Sequence, residues 1–265
     1  MQKYLTLAKV SLQEYFVYRL NFYLWRFRNL ISLLALVFFW LAIYGSRPSF
    51  LNYTKDQMLT YIVGIAFLRG LIFSSRTADL AGTIRNGDLN KWLLTPLSIF
   101  KSLLARDLSD KLLNTLFSFL EIFIVLKLFA FSFAGPTHLL TYLYFFVIVI
   151  LAFFLYFFIS ITLSETGFWT EDIWATRWLF GIIFLDFFSG SIFPIDILPS
   201  QAVHLINLTP FPYLIFYPAK IWLEQISQAE TLKAIFICFV WLIFFFWLSR
   251  FLFKKGLKHY EAYGG

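Results

Sequence analysis

Six long apolar segments constrain the fold of this 265-residue chain more than any other feature of its sequence. A helix needs about 20 predominantly apolar residues to cross the hydrocarbon of a bilayer. The third, fourth and sixth segments reach that length, and the first two need flanking residues to complete a span. The pattern predicts an all-α polytopic membrane protein with six transmembrane helices. Their ranges are Asn29–Tyr44, Met58–Phe73, Leu112–Phe133, Leu139–Leu163, Trp178–Phe193 and Leu232–Phe253.

The composition excludes an ordinary soluble domain. Hydrophobic residues make up 60% of the chain and charged residues only 14%, with a mean hydropathy of +0.74. Soluble domains are about 45–50% apolar and about a quarter charged, so this chain has too few ionisable groups to cover a water-facing surface. The single cysteine, Cys238, excludes an intrachain disulfide.

The Lys and Arg residues are distributed very unevenly between alternate loops, which predicts orientation. The opposite side of the membrane receives only Arg47, Lys55 and Lys220. We therefore expect a multi-pass protein of the bacterial inner (plasma) membrane with both termini and the second loop in the cytoplasm. The net charge of +7 is explained by the basic residues next to the apolar segments, so we expect no nucleic-acid partner. The cytoplasmic set is Lys3, Lys9, Arg19, Arg26, Arg28, Arg76, Arg85, Lys91, Lys101, Arg106, Lys111, Arg250, Lys254, Lys255 and Lys258.

The first 28 residues are amphipathic and do not have the composition of a span. Polar residues recur every three or four positions, and an apolar stripe faces them, which is typical of a helix lying in the membrane interface. The alternative is a cytosolic extension of the first span. The polar positions are Gln2, Thr6, Lys9 and Gln13, and the apolar ones are Leu5, Ala8, Leu12, Tyr15 and Phe16.

Residues 74–111 form a cytoplasmic connection that is long for a loop without structure of its own. A short surface helix before Gly87 is expected, followed by a second helix over Leu89–Leu94 that Asp88 caps and Pro96 follows. A charged helical element here suits docking to a soluble partner. An ordinary solvated loop is the alternative.

Residues 190–231, on the outer side, are too apolar for an exposed loop and too rich in proline for a continuous span. Non-helical backbone at membrane depth persists only where protein or a water-filled cavity shields it. The segment therefore predicts an extracellular re-entrant helical hairpin. A seventh span over Leu205–Leu223 is the alternative, but it would place the basic C-terminal segment outside, against the charge asymmetry.

Four stretches resemble the ABC-2-type permeases, the membrane subunits of ATP-binding-cassette exporters. Ile84–Ser98 is similar to that family's I-R-x-G-x-L-x-x-x-L-x-x-P-L-S loop. Phe188–Ile197 and Pro210–Pro218 are similar to its outer G-x-x-F-P and P-F…Y-x-P elements, and Tyr260–Gly265 resembles the ending of one uncharacterised branch. The likeness covers essentially the whole chain as a single permease domain. The family's acidic residue before Ile-Arg corresponds only to Asp79.

The resemblance implies partners and roles that the residue pattern alone does not. It makes the second loop a coupling helix seated on a separate ATPase subunit, which would bind ATP and magnesium, while this chain binds no cofactor. It implies a second permease subunit, identical or paralogous, and a substrate exit near Phe193 and Pro194. The implied coupling residues are Ile84, Arg85, Gly87, Asp88, Leu89, Trp92, Leu93 and Pro96.

Motifs for chemistry on this chain are missing from the sequence. It contains no G-x-x-x-x-G-K-[ST], no H-E-x-x-H and no G-x-S-x-G. His138, His204 and His259 have no metal-ligand spacing. We therefore expect no catalytic residue, no metal site and no enzymatic activity, with ATP hydrolysis confined to a partner.

Charged residues inside the apolar segments are the remaining candidates for a substrate pathway, since such groups are costly in lipid and face a cavity or a partner. Asp186 and Glu121 are the candidates, with a hydrogen bond to a neighbouring helix as the alternative for Asp186. Lys127 is expected to extend to the membrane surface, and Arg69 lies in the second segment.

The short cytoplasmic loop after the fourth segment carries a cluster of acidic residues. It would contact the ATPase or pair with Arg177, and the sequence does not distinguish these. Two other functions also remain open, an ion-coupled secondary transporter and a membrane-embedded enzyme or scaffold, both using Asp186 and Glu121. An inverted repeat would favour the transporter, and none is visible. The acidic residues of the loop are Glu165, Glu171 and Asp172.

Overall fold

The computed structural model describes residues 2–17, 19–129, 131–170 and 178–260. These parts are largely helical, and five of their helices are long and apolar enough to cross a membrane. This confirms a helical, polytopic membrane protein, while the sixth span and the re-entrant hairpin stay predictions. The five helices are Arg19–Tyr44, Lys55–Phe73, Ile99–Phe129, Leu139–Phe168 and Gln228–Gly256.

The helices are numbered along the chain. They are α1 (Gln2–Val17), α2 (Arg19–Tyr44), α3 (Lys55–Leu68), α4 (Asp79–Arg85), α5 (Leu89–Leu93), α6 (Ile99–Phe129), α7 (Leu139–Glu165), α8 (Ser200–Asn207), α9 (Phe216–Trp222) and α10 (Gln228–Gly256). A π-helical turn, Arg69–Phe73, continues α3, and another spans Phe180–Phe187. Single 3-10 turns lie at Arg76–Ala78, Thr166–Phe168, Ile195–Ile197 and Phe211–Tyr213.

One small departure from the all-α prediction lies between α2 and α3. Strands β1 (Ser49–Phe50) and β2 (Tyr53–Thr54) form an antiparallel pair at the outer end of these helices. Thr54 then caps α3, because its side chain accepts from the Gln57 backbone N–H while the Gln57 side chain accepts from the Thr54 N–H. The tight turn thereby sets the starting point of the second span.

Two helix boundaries differ from the sequence prediction. Helix α1, the predicted interfacial helix, ends at Val17, and the first spanning helix begins at Arg19, ten residues earlier than Asn29. The third spanning helix, α6, runs from Ile99 to Phe129, so it includes the last part of the predicted 74–111 loop and ends before Phe133. Its polar first turns are stabilised by neighbours that the sequence does not reveal, since Ser109 donates to the Ala8 carbonyl at 2.9 Å.

The core has two parts. The larger cluster lies between α2, α3, α7, α9 and α10 and includes the fully buried Val37, Ile62, Leu155 and Cys238. A smaller cluster lies where α4 and α5 pack against the N-terminal part of α6 and the C-terminal part of α7. Its buried members are Leu80, Ile84, Leu89, Leu103, Phe157 and Ile161.

The outer segment 190–231 is folded back into the large core. The short helices α8 and α9 are separated by a 3-10 turn, so no single helix covers Leu205–Leu223 and the alternative of a seventh span there is wrong. Leu214, Ile215 and Ile221 are buried, which explains the apolar character of a proline-broken segment. Tyr61 donates to the Gly190 carbonyl at 2.7 Å and holds the start of the segment. Gly190 has φ +82°, and a Cβ there would lie 2.8 Å from the Tyr61 hydroxyl, so only glycine fits.

A polar cleft beside the predicted coupling loop

A cleft of about 930 Å³ opens between α2, α3 and α6, and Asp186 forms part of its wall. The face of α2 toward the cleft carries most of the polar residues of that helix together with apolar and aromatic ones. Its lining positions recur at helical spacing, which places them on one side of the helix. They are Asn21, Phe22, Trp25, Arg26, Arg28, Asn29, Ser32, Leu33 and Leu36.

Close packing of α3 on α6 forms the back of the cleft. Gly70 makes this approach possible, because a Cβ there would lie 3.2 Å from the Asn114 carbonyl oxygen and 3.2 Å from the Ser118 Oγ. Side chains from α3 and α6 therefore converge on one polar space.

Arg69 and Asp186 form an ion pair at the cleft wall. Arg69 lies within the Lys55–Phe73 spanning helix and stacks over Phe73 at 5.5 Å. The Arg69 side chain is 43% exposed and that of Asp186 is 32% exposed, so the pair faces the cleft and is not sealed in the core. The sequence identified Asp186 as a candidate but did not find its partner.

Glu121, the second predicted pathway residue, is a buried counter-ion. Arg26 donates to Glu121 at 2.6 Å and to the Asn114 side chain at 2.9 Å. The distribution of Lys and Arg in the sequence groups Arg26 with the cytoplasmic cations. In the structure, Arg26 lies inside the first spanning helix and is 8% exposed. Its role in the fold is to join α2 to α6.

Phe193 and Pro194 are not part of the cleft. Ser191 and Ile192 reach its wall, whereas Phe193 packs edge-to-face on Phe187 and Pro194 is buried. The structure therefore does not bring the four predicted pathway residues together. Lys127 is exposed and lies over the Phe123 ring at 5.7 Å, and its extension to the membrane surface stays a prediction.

A second polar cluster, which sequence reasoning missed, lies on the predicted outer side. Lys220 is buried and donates to Asp196 at 2.6 Å, and the Tyr53 hydroxyl donates to the same carboxylate at 3.0 Å. Burial, and then the neighbouring Tyr61 and Asp196, raise the pKa of Tyr53, so its hydroxyl remains a donor. The one available signal was Lys220, a lone cation in an otherwise apolar segment.

The predicted coupling loop consists of α4, a turn at Gly87, and α5. Gly87 has φ +77°, a conformation that favours glycine. Ile84 and Leu89 are buried in the small core cluster. Their side chains hold the loop to the rest of the protein and are not accessible to a partner. The exposed residues of the stretch 85–96 are Arg85, Asn86, Lys91, Leu93, Leu94, Thr95 and Pro96.

Asp88 does not cap α5 as predicted. It stands at the N-cap position, but no side-chain cap hydrogen bond forms, and its carboxylate accepts from Lys91 at 2.7 Å. The backbone of Asp88 is already helical, with φ −72° and ψ −9°, so the usual capping geometry is not available.

Arg106, near the start of α6, connects the predicted coupling loop to α1. Its guanidinium lies 5.7 Å from the centre of the Trp92 ring and donates to Ser11 at 3.2 Å and to Asp79 at 3.3 Å. Arg76 pairs with Glu14 beside it. Trp92 is thus half-buried against the chain itself. Only the tertiary fold brings these four elements together, and no sequence pattern identified Arg106.

Little of the acidic loop after α7 falls in the described part of the chain. Glu165 is buried, and neither carboxylate oxygen has a hydrogen-bond partner there. Glu171, Asp172 and Arg177 lie outside the described residues. Among the residues that are described, no group of three or more His, Cys, Asp or Glu side chains could hold a metal ion.

Comparison with known protein families identifies the family of this chain. A family model described as "ABC-2 family transporter protein" matches residues 30–264, nearly the whole chain. No curated protein matches it.

Proposed function

The chain belongs to the ABC-2 family of transporter proteins, and we propose that it is the permease subunit of an ATP-binding-cassette exporter. Proteins of this family are membrane components of transporters and are not themselves catalytic. In this proposal the chain forms the substrate pathway with a second permease subunit, identical or paralogous. A separate ATPase subunit binds ATP and magnesium.

The observation that carries the proposal is the half-exposed Arg69–Asp186 pair on the wall of a cleft of about 930 Å³. Charged groups at membrane depth are costly in lipid and are accommodated by water, a ligand or protein. A cleft with polar walls on spanning helices supplies such surroundings. We propose that substrate passes along it and that Asp186 lies on the route.

The coupling role rests on the position of α4 and α5. Both pack on the predicted cytoplasmic ends of α6 and α7, and Arg106 links α5 to α6, whose Asn114 and Glu121 line the cleft. An ATPase that displaces α5 would therefore move a helix of the pathway. We propose Arg85 and Leu93, which are exposed, as contacts for that ATPase.

Topology and location follow from the charge asymmetry. We propose that this multi-pass protein lies in a bacterial inner (plasma) membrane with both termini in the cytoplasm. The segment 190–231 then folds into the membrane from the outer side.

Ion-coupled transport and membrane-embedded catalysis fit the site less well. Both require a carboxylate that is free to bind a cation or a proton, and the two intramembrane candidates each have an arginine partner, Arg26 for Glu121 and Arg69 for Asp186. No observation in the described part of the chain favours either function over the permease.

Purification of the chain from its native membrane tests the proposal. We expect an ATPase with a P-loop to co-purify, and we expect vesicles holding both subunits to hydrolyse ATP. The chain alone should hydrolyse none. Robust ATP turnover by a preparation free of other subunits would contradict the permease assignment.

A further inference from the structure

One face of α10 is apolar and exposed along its length and ends in two cations. The positions on this face are separated by four, three, four, three and four residues, so they form a single stripe. The apolar members are between 42% and 66% exposed, which in a spanning helix marks contact with lipid. The stripe consists of Phe236, Val240, Ile243, Trp247, Arg250 and Lys254.

The two cations at the end of the stripe border a groove of about 280 Å³. The coupling helix α5 and the first turn of α6 form its other wall. None of the lining side chains is acidic, and all except the two cations are apolar or aromatic. The lining residues are Trp92, Leu93, Leu97, Ile99, Phe100, Arg250, Phe253 and Lys254.

The side chain of Arg250 is held in place by aromatic rings. Its guanidinium stacks over Phe100 at 4.1 Å and over Phe246 at 5.3 Å. Within the described ranges, neither Arg250 nor Lys254 makes an ion pair or a side-chain hydrogen bond. The buried Glu165 interacts with Arg250 electrostatically, but neither of its carboxylate oxygens accepts a hydrogen bond from a described residue. The N–H donors of Arg250 thus have no acceptor among the described side chains, which suits recognition of an anion.

We propose that this groove binds the phosphate of an anionic phospholipid from the leaflet on the coupling-loop side. The acyl chains lie along Ile243 and Trp247, and the phosphate lies between Arg250 and Lys254. A free phosphate would use the cations but not the apolar stripe that leads to them. A zwitterionic lipid would bring a cationic headgroup to a groove whose described lining side chains include no carboxylate. The bound headgroup would also contact α5, because Trp92 and Leu93 form the opposite wall.

The continuity of the stripe favours lipid over an acidic protein partner. Both cations lie on the face of α10 that already contacts the bilayer, and they occupy its last two turns, at the depth of headgroups. The proposal does not depend on the transport function, because it concerns binding alone.

Native mass spectrometry of the full chain in detergent tests this inference, with dioleoylphosphatidylglycerol and dioleoylphosphatidylcholine as probes. The variant Arg250→Gln/Lys254→Gln removes both groove cations. Lys255→Gln/Lys258→Gln is the matched control, because it removes the same charge from two exposed lysines that do not line the groove. Equal elution of both variants in size-exclusion chromatography establishes that they are folded.

We expect the groove variant to retain about tenfold less phosphatidylglycerol than the control, since each cation near an anionic headgroup contributes to binding. Phosphatidylcholine retention should be low and equal in both variants. Inorganic phosphate added in excess should not displace the lipid. Equal retention of phosphatidylglycerol by the two variants would overturn the proposal and leave the groove to an acidic protein surface. Displacement by inorganic phosphate would overturn the assignment to a lipid.

Discussion

Arg26 of α2 and Glu121 of α6 lie 2.6 Å apart, and each side chain is only 9% exposed, although 95 residues separate them in the chain. Arg26 also donates to Asn114, so its charge is satisfied by two side chains of the same helix. The pair therefore joins the first spanning helix to the third across the inner part of the cleft. It is a structural contact between two helices that line the cleft.

Removing one partner of this pair should destabilise the protein. Glu121→Leu leaves the Arg26 guanidinium buried without its counter-ion, and breaking a buried pair costs about 3 kcal/mol. Thermal unfolding of the detergent-solubilised chain measures the effect. The double variant Arg26→Met/Glu121→Leu should recover most of the loss, because no uncompensated charge remains. A single variant as stable as wild type that no longer transports would instead place Glu121 in the substrate route.

Asp186→Asn should impair transport much more than stability. The Arg69–Asp186 pair is partly exposed to the cleft, and pairs of this kind contribute about 0–1 kcal/mol to stability. Transport into vesicles and the melting temperature should be measured on the same preparation. Arg69→Gln is the matched variant on the other side of the pair. Failure of Asp186→Asn to assemble would show that the residue serves the fold alone.

The exposed Arg85 and the half-buried Trp92 should give different phenotypes. Arg85→Ala should weaken capture of the ATPase subunit, because this side chain is exposed on the coupling loop. Trp92→Ala should leave capture intact but uncouple hydrolysis from transport, because it removes the ring beneath Arg106. Pull-down combined with a transport assay separates the two effects. Lys91→Ala is the control, and wild-type behaviour of all three variants would retire the coupling assignment.

Glu224 should make the outer region sensitive to acid. Hydrogen bonds from Thr137, then Thr141 and the His138 backbone N–H, lower the pKa of Glu224 from its usual 4.5 to about 2. Because the folded-state pKa lies below the unfolded one, this stabilisation is complete above about pH 4.5 and is lost as the pH falls toward 2. Melting temperatures measured through that range should fall less steeply in Glu224→Gln. Identical pH profiles for the variant and wild type would contradict the prediction.

Cysteine labelling should place Gly87 in the cytoplasm and Gly135 and Ser200 outside. The motivation is the Lys and Arg asymmetry, which favours retention of basic loops on the cytoplasmic side. Single cysteines at these positions, in a background without Cys238, are labelled with an impermeant reagent before and after membrane disruption. Labelling of position 87 in intact cells would reverse the topology.

Composition and hydropathy were sufficient to predict a helical membrane protein with short helices in the segment 74–98 and a proline-broken outer segment. These features follow from local rules. An apolar run of sufficient length must leave water, and Gly87 and the prolines restrict the backbone wherever they stand in the chain.

The same local rules did not predict that α6 begins at Ile99. Its first turns are polar and are stabilised by α1 and by the loop before α4. Lys111 illustrates the limit. Its sequence position marks it as a cytoplasmic cation, yet it is buried and donates to the carbonyls of Ile72 at 2.5 Å and Ser74 at 2.6 Å. From the sequence alone, a charged side chain such as that of Lys111 is predicted to be exposed, because the sequence does not show its hydrogen-bond acceptors.

The sequence by itself determined that this is a helical membrane protein, because hydrophobic burial depends on composition over short segments. The number of spans and the side that the basic loops occupy stay predictions from the same patterns. Only the tertiary structure decided which charges are paired. Arg69 with Asp186 and Arg26 with Glu121 are separated by 117 and 95 residues. Their ionic partnerships depend on how helices pack, and Coulomb attraction acts over a few ångströms in space and carries no signature in sequence spacing.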